Sequence, residues 1–314
     1  MTAAIGVTNR ATETYNPWLA LETPALRPAV EAGDWGLTAR ILGGLDVERC
    51  SKAVGLIAET DGVEAWLIPA ANGGDLMART VLGARFVRIA WLRRSGYRAP
   101  YVSAAQFAGF FEALSAAEEL LTSVTAVAPT YVHAWEWRIL TALGLELGIV
   151  EARRRYDHIA ALVPHHFAAQ QTFLQHLLPK WFGSWELAEA FADECRGVAP
   201  LGSPSRALWA TVEVERWLDI PSHRPQTHPL GHIAAETVSH PAHRPGPWGA
   251  AVHAELAFLY SRAGQPRSAA VHFAALDVRP SRNGWAYHDR TEAIYRKGRR
   301  RALGRGFVGR FGSS

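Results

Sequence analysis

Apolar positions along this chain recur at the three- and four-residue spacings of amphipathic α-helices. Leu82, Phe86 and Ile89, for example, share one face of a helix predicted over about 75–94. Ser103 and Gln106 form a capping box that predicts where the next helix begins. Beyond it, helical segments alternate with short breaks, and we expect helices at 103–127, 130–147, 149–162, 164–178, 184–196 and 203–218. The pattern predicts an all-α protein.

A triplet of a small residue, a larger apolar residue and a proline recurs about every 35 positions within this helical region. The three copies are Ala117, Leu121 and Pro129, then Ala152, Tyr156 and Pro164, then Ala188, Ala192 (beside Phe191) and Pro200. The small residue lets two helices approach closely, and the proline ends a helix because it has no N–H donor. A fixed period of this length is typical of helical repeat arrays, in which each unit buries its apolar face against its neighbours.

The last repeat carries a family resemblance. Its apolar and turn positions are Leu256, Ala257, Tyr260, Gly264, Ala269, Phe273 and Pro280. This run resembles a tetratricopeptide repeat, although His253 stands where that motif opens with an aromatic residue and the proline comes one position early. The earlier repeats match only the second half of the motif. The resemblance implies a tetratricopeptide-like α-α superhelix of antiparallel helix pairs.

Composition shifts divide the chain into predicted regions. We expect a flexible leader at 1–22, an irregular helical region at 23–100 and the tetratricopeptide-like repeats at 103–284. A proline- and histidine-rich insertion at 221–247 interrupts the repeats, and a terminal helix with a basic tail occupies 285–314.

The turn between two predicted repeat helices is the strongest candidate for partner binding. Lys180, Trp181 and Trp185 lie around Gly183, and tryptophan is enriched at binding hot spots. The alternative is that both rings pack between helices while Gly183 supplies the turn and Ser184 caps the next helix. The same stretch, Pro-Lys-Trp-Phe-Gly-Ser, resembles a P-K-W-G-G-S segment of an uncharacterised family of bacterial helical proteins, a resemblance that implies a fold and no activity.

Histidines suggest metal chemistry without defining a site. His228, His232 and Glu236 are spaced four residues apart, which is workable ligand spacing on a helix, but Pro229 and Gly231 argue against a continuous helix. A solvated connector is the plainer interpretation, so we assign no metal and no cofactor. His165, His166 and His176 fall on one predicted helix, where they could approach one another or be ordinary surface residues.

The C-terminal end is strongly basic. Between Thr291 and the last residue the cations are Arg296, Lys297, Arg299, Arg300, Arg301, Arg305 and Arg310, against one acid, Glu292. Such a cluster attracts phosphate, an anionic lipid surface or an acidic partner. The alternative is a disordered solubilising tail or a terminal helix that caps the array with a polar outer face.

Nothing in the sequence identifies an enzyme. There is no G-x-S-x-G, Walker or Rossmann motif, and the cysteines Cys50 and Cys195 have neither metal nor disulfide spacing. No segment has the length and apolar character of a membrane span, so we expect a cytoplasmic protein, with a composition typical of bacterial coding. We therefore predict a non-catalytic interaction or scaffold protein that binds a peptide or protein segment in a superhelical groove. The alternatives are a nucleic-acid-associated regulator that uses the basic tail and a metal-dependent helical enzyme.

Overall fold

The computed structural model describes residues 18, 21–95, 101–181, 183–220, 222–276 and 291–304. All regular structure in these residues is helical, and none of it is strand, which confirms the all-α prediction. The described residues divide into two compact units, with those up to Cys195 in one and those from Arg196 onwards in the other. We call them the first and second units.

Among its described residues, the first unit contains nine helices and most of a tenth. They are α1 Leu26–Glu31, α2 Trp35–Gly43, α3 Val47–Ala58, α4 Glu64–Asn72, α5 Leu76–Arg94, α6 Ala104–Val127, α7 Val132–Gly144, α8 Gly148–Leu162, α9 Phe167–Leu177 and α10 Trp185–Val198. Helix α5 begins where Asp75 accepts the N–H of Ala78, and α6 begins at the predicted capping box of Ser103 and Gln106.

Consecutive helices of the first unit pack against one another from α4 to α9. Glycines permit the closest approaches, since a Cβ on Gly144 of α7 would lie 2.4 Å from Leu114 of α6. The small and apolar residues of the predicted triplets are buried, whereas their prolines are exposed. Tyr156, for example, stacks on Phe173 with ring centroids 5.2 Å apart and meets Phe191 edge-on at 5.1 Å. Successive helices thus bury apolar side chains against one another.

Two predicted helix starts are shifted. The segment expected at 164–178 becomes helical only at Phe167, because His165 has a left-handed backbone with φ of 65°. The segment expected at 203–218 opens with a 3-10 turn, Pro204–Ala207, capped by Ser203, before α11 begins at Leu208.

The second unit contains the 3-10 turn and the helices α11 Leu208–Asp219, α12 His228–Glu236, α13 Gly249–Arg262, α14 Pro266–Ala274 and α15 Thr291–Leu303. Helices α13 and α14 form a packed pair joined at Gly264, whose φ of 74° suits glycine. Tyr295 of α15 is fully buried and meets Phe273 edge-on at 5.4 Å. Pro280 of the repeat motif lies outside the described residues.

Parts of the predicted leader and insertion contribute to the core. Leu21 is buried in the first unit, whereas 1–17 lie outside the described residues. Leu230 and Ile233 of α12 join the apolar core of the second unit, so the insertion is more than a solvated connector. Across the helices that the structure describes, none has the length and apolar character needed to cross a membrane.

Candidate metal centre

The predicted binding turn is only partly at the surface. Trp181 packs against the core of the first unit, with its ring 5.5 Å from Trp91 in an edge-on contact. Lys180 is exposed, and Trp185 is half-buried at the start of α10. A peptide groove at this turn stays a prediction. Trp181 packs against other helices, as in the alternative interpretation of this turn.

The histidine spacing of the insertion does not produce a cluster of three ligands. His228 and His232 are exposed on α12 with ring centroids 5.7 Å apart. The third candidate, Glu236, uses both carboxylate oxygens to bind Arg196 at 2.7 and 2.9 Å and Arg206 at 3.0 Å. Hydrogen bonds from Arg196 and then Arg206 lower the pKa of Glu236 to about 2, so its charge is already paired.

A different cluster forms in the interior of the first unit. His133 and Glu136 lie one turn apart on α7, and His166 is the residue that precedes α9. One ligand atom from each residue lies within 4.8 Å of the corresponding atoms of the other two. Two imidazoles and a carboxylate are a donor set that transition metals bind.

Helix α3 completes the surroundings of this cluster with two polar residues one turn apart. The Oγ atom of Ser51 lies 3.0 Å from Nδ1 of His133 and 3.2 Å from Nε2 of His166. Glu48 accepts the N–H of Phe167 at 2.8 Å, and the same oxygen lies 3.4 Å from Nδ1 of His166. Three helices therefore direct polar side chains to one buried point.

The pKa values of the two histidines shift in opposite directions. Burial lowers the pKa of His133 to about 4, which favours the neutral imidazole that binds metals. Burial acts in the same direction on His166, but the carboxylates of Glu48 and Glu136 outweigh it and raise the pKa. Burial raises the pKa of Glu136 itself. The site thus sets a histidine between two carboxylates inside the protein.

One oxygen of the cluster, Oε2 of Glu136, is buried without a hydrogen-bond partner and faces Nε2 of His166 at 3.6 Å. Nδ1 of His166 faces Oε1 of Glu48 at 3.4 Å. Buried polar atoms without partners cost free energy, and native proteins contain few of them. A cation between the imidazoles and the carboxylate would satisfy Glu136 and orient Nδ1 of His166 towards Glu48. Carboxylates hold metal-binding histidines in this way in many metal sites.

Only His166 of this cluster was among the candidate residues predicted from the sequence. The sequence placed His166 on one helix with His165 and His176. His176 is buried outside the cluster, with Nε2 2.9 Å from the carbonyl oxygen of Ile139. The signal that was available is the spacing of three residues between His133 and Glu136 and again between Glu48 and Ser51. Such spacing places two side chains on the same helix face.

The basic C-terminal helix is docked through its apolar side. Tyr295, Ile294, Ala302 and Leu303 of α15 pack in the core of the second unit. The exposed cations are Arg296, Lys297, Arg300 and Arg301, whereas Arg299 is half-buried. Arg305 and Arg310 lie outside the described residues.

No protein-family model, curated protein or solved structure matches this chain. The fold and the cluster alone define the class: an all-helical protein with a buried candidate metal centre.

Proposed function

We propose that this protein binds one divalent transition metal ion through His133, Glu136 and His166, with Zn²⁺ as the reference ion. The observation that carries the proposal is the convergence of two imidazoles and a carboxylate on a buried point where Oε2 of Glu136 has no partner. A purely structural polar cluster would be expected to satisfy that oxygen.

The bound ion would tie three helices together. Glu48 and Ser51 come from α3, His133 and Glu136 from α7, and His166 from the turn before α9. Ligands that are far apart in sequence are brought together only in the folded chain, so the free energy of metal binding adds to the free energy of unfolding.

Isothermal titration calorimetry with Zn²⁺ tests the proposal on full-length protein stripped with EDTA and dialysed. We expect one equivalent to bind the wild type and binding to be lost in Glu136→Gln and in His133→Gln. The matched control is His228→Gln with His232→Gln, which removes the exposed pair and leaves the stoichiometry at one. Binding that survives in Glu136→Gln but disappears in the control pair would place the metal on α12 and refute the proposal.

As a second candidate function, we propose that α15 binds nucleic acid. The supporting observation is that its apolar side is buried around Tyr295 while Arg296, Lys297, Arg300 and Arg301 are exposed. A helix whose apolar side is already used cannot insert that side into a membrane. Its exposed cations can contact phosphates, whose neutralisation releases counterions.

Fluorescence anisotropy with a labelled DNA duplex, measured across a salt series, tests this second function. Replacing the four exposed cations by glutamine should weaken binding and reduce the slope of log K against log salt by about 3 to 4. The control changes Arg224 and Arg244, exposed arginines of the same unit, to glutamine. An equal loss in both variants, or no binding by the wild type, contradicts a role for α15.

A further inference from the structure

Ser51 contacts all three candidate ligands of the metal centre. Its Oγ atom is 3.0 Å from Nδ1 of His133 and 3.2 Å from Nε2 of His166, and its hydroxyl also interacts with the Glu136 carboxylate. The side chain is buried, and it reaches the site from α3, whereas the other ligands come from α7 and from the turn before α9.

The spacing of these atoms matches that of a tetrahedral ligand shell. A tetrahedral ion with bonds of about 2.1 Å holds its ligand atoms about 3.4 Å apart. Three separations in the cluster are 3.0, 3.2 and 3.6 Å, from Ser51 to each histidine and from His166 to Glu136. A hydroxyl oxygen has two lone pairs, so it can coordinate without losing its proton.

We infer that Ser51 is the fourth ligand of the metal centre, and that the centre is therefore closed and structural. This inference rests on the proposed metal-binding function. Catalytic zinc sites keep one position for water or substrate, whereas structural sites fill all four positions with protein atoms. With Ser51 in place, His133, Glu136 and His166 leave no such position. The ion then clamps α3 to α7 and α9 and does not activate a water molecule.

Glu48 supports the same arrangement from one turn earlier on α3. Its Oε1 atom accepts the N–H of Phe167 and faces Nδ1 of His166. It therefore acts as a positioning residue that turns Nε2 of His166 towards Ser51 and Glu136. One helix face supplies both a ligand and the group that orients another ligand.

Cobalt(II) is the probe that tests the inference, since its visible spectrum reports coordination number and ligand type. Full-length, metal-free wild type should bind one Co²⁺ with the intense bands of a four-coordinate site, and excess azide should leave the spectrum unchanged. Ser51→Ala should bind Co²⁺ about tenfold or more weakly and should respond to azide, because a position has opened. Ser51→Cys should add a thiolate-to-cobalt charge-transfer band and bind Zn²⁺ more tightly.

Cys50 provides the internal control. Its thiol is buried, and wild-type protein, which contains Cys50, should show no thiolate band. The band of Ser51→Cys should persist when Cys50 is also changed to alanine. Circular dichroism of each variant confirms that the helices are retained.

The two proposals fail in different ways. If the wild type binds no Co²⁺, the proposed metal-binding function is wrong. If the wild type binds Co²⁺ but Ser51→Ala binds equally well and Ser51→Cys shows no thiolate band, the metal site stands and the role of Ser51 is refuted. An azide-sensitive wild-type spectrum would show an open site and would also overturn the inference.

Discussion

Glu255 offers a stability prediction whose size follows from the structure. It lies on α13, is buried, and its carboxylate accepts a hydrogen bond of 3.0 Å from Thr211, with Glu215 adding a second negative charge nearby. Burial, reinforced by Glu215, raises the pKa of Glu255 from 4.5 to about 8. The folded protein therefore holds a neutral carboxyl group at neutral pH, whereas the unfolded chain holds a charged one.

Glu255→Gln removes this titration while keeping the shape and the acceptor for Thr211. Because the folded pKa is raised, the wild type has its full stability below pH 4.5 and loses stability as pH rises towards 8. At 1.36 kcal/mol per pKa unit, the loss is about 3 kcal/mol at pH 7 and about 5 kcal/mol above pH 8. The variant avoids this loss.

Urea unfolding followed by circular dichroism at pH 4.5, 7 and 8.5 measures the difference. We expect Glu255→Gln to match the wild type at pH 4.5 and to exceed its free energy of unfolding by about 3 kcal/mol at pH 7. Asp219→Asn, at an exposed acid of the same unit, should show no such trend. A difference between Glu255→Gln and wild type that is constant with pH would refute the reasoning.

Two further predictions concern packing and buried charge in the first unit. Gly144→Ala should lower the free energy of unfolding by about 1–3 kcal/mol in a urea titration, because its Cβ would collide with the facing helix α6. The control Gly43→Ala, whose Cβ meets nothing within 4 Å, should not lower it. Equal effects of the two substitutions would contradict the packing of α7 on α6. Arg155 and Arg138 contact the Glu118 carboxylate at 2.8–3.1 Å. Arg155→Met should therefore lower stability by about 3–5 kcal/mol in thermal unfolding, because Glu118 loses one of its two main partners. Arg27→Met, in an exposed pair with Glu31, should change stability by under about 1 kcal/mol.

Local patterns predicted the helices of this protein well. The capping box of Ser103 and Gln106, the start of α5 and the breaks between α6 and α10 all follow from residues adjacent in sequence. The shifted starts at His165 and Ser203 arose where backbone conformation, which the apolar pattern does not encode, delays a helix. A superhelical arrangement of the repeats stays a prediction.

The candidate metal centre was beyond such patterns because its residues meet only through packing. Ser51, His133 and His166 are more than 30 residues apart in sequence, and each could equally well be a surface residue of its own helix. In the insertion, by contrast, the sequence pattern suggested a metal site that the structure does not assemble. His228, His232 and Glu236 have metal-like spacing, but Arg196 and Arg206, which pair with Glu236, come from elsewhere in the chain.

An anomalous difference map at the zinc edge, from crystals equilibrated with Zn²⁺, would locate the bound ion. We expect one strong peak about 2.1 Å from atoms of His133, Glu136, His166 and Ser51. A map without a peak there, or with its strongest peak at His228 and His232, would contradict a buried metal centre.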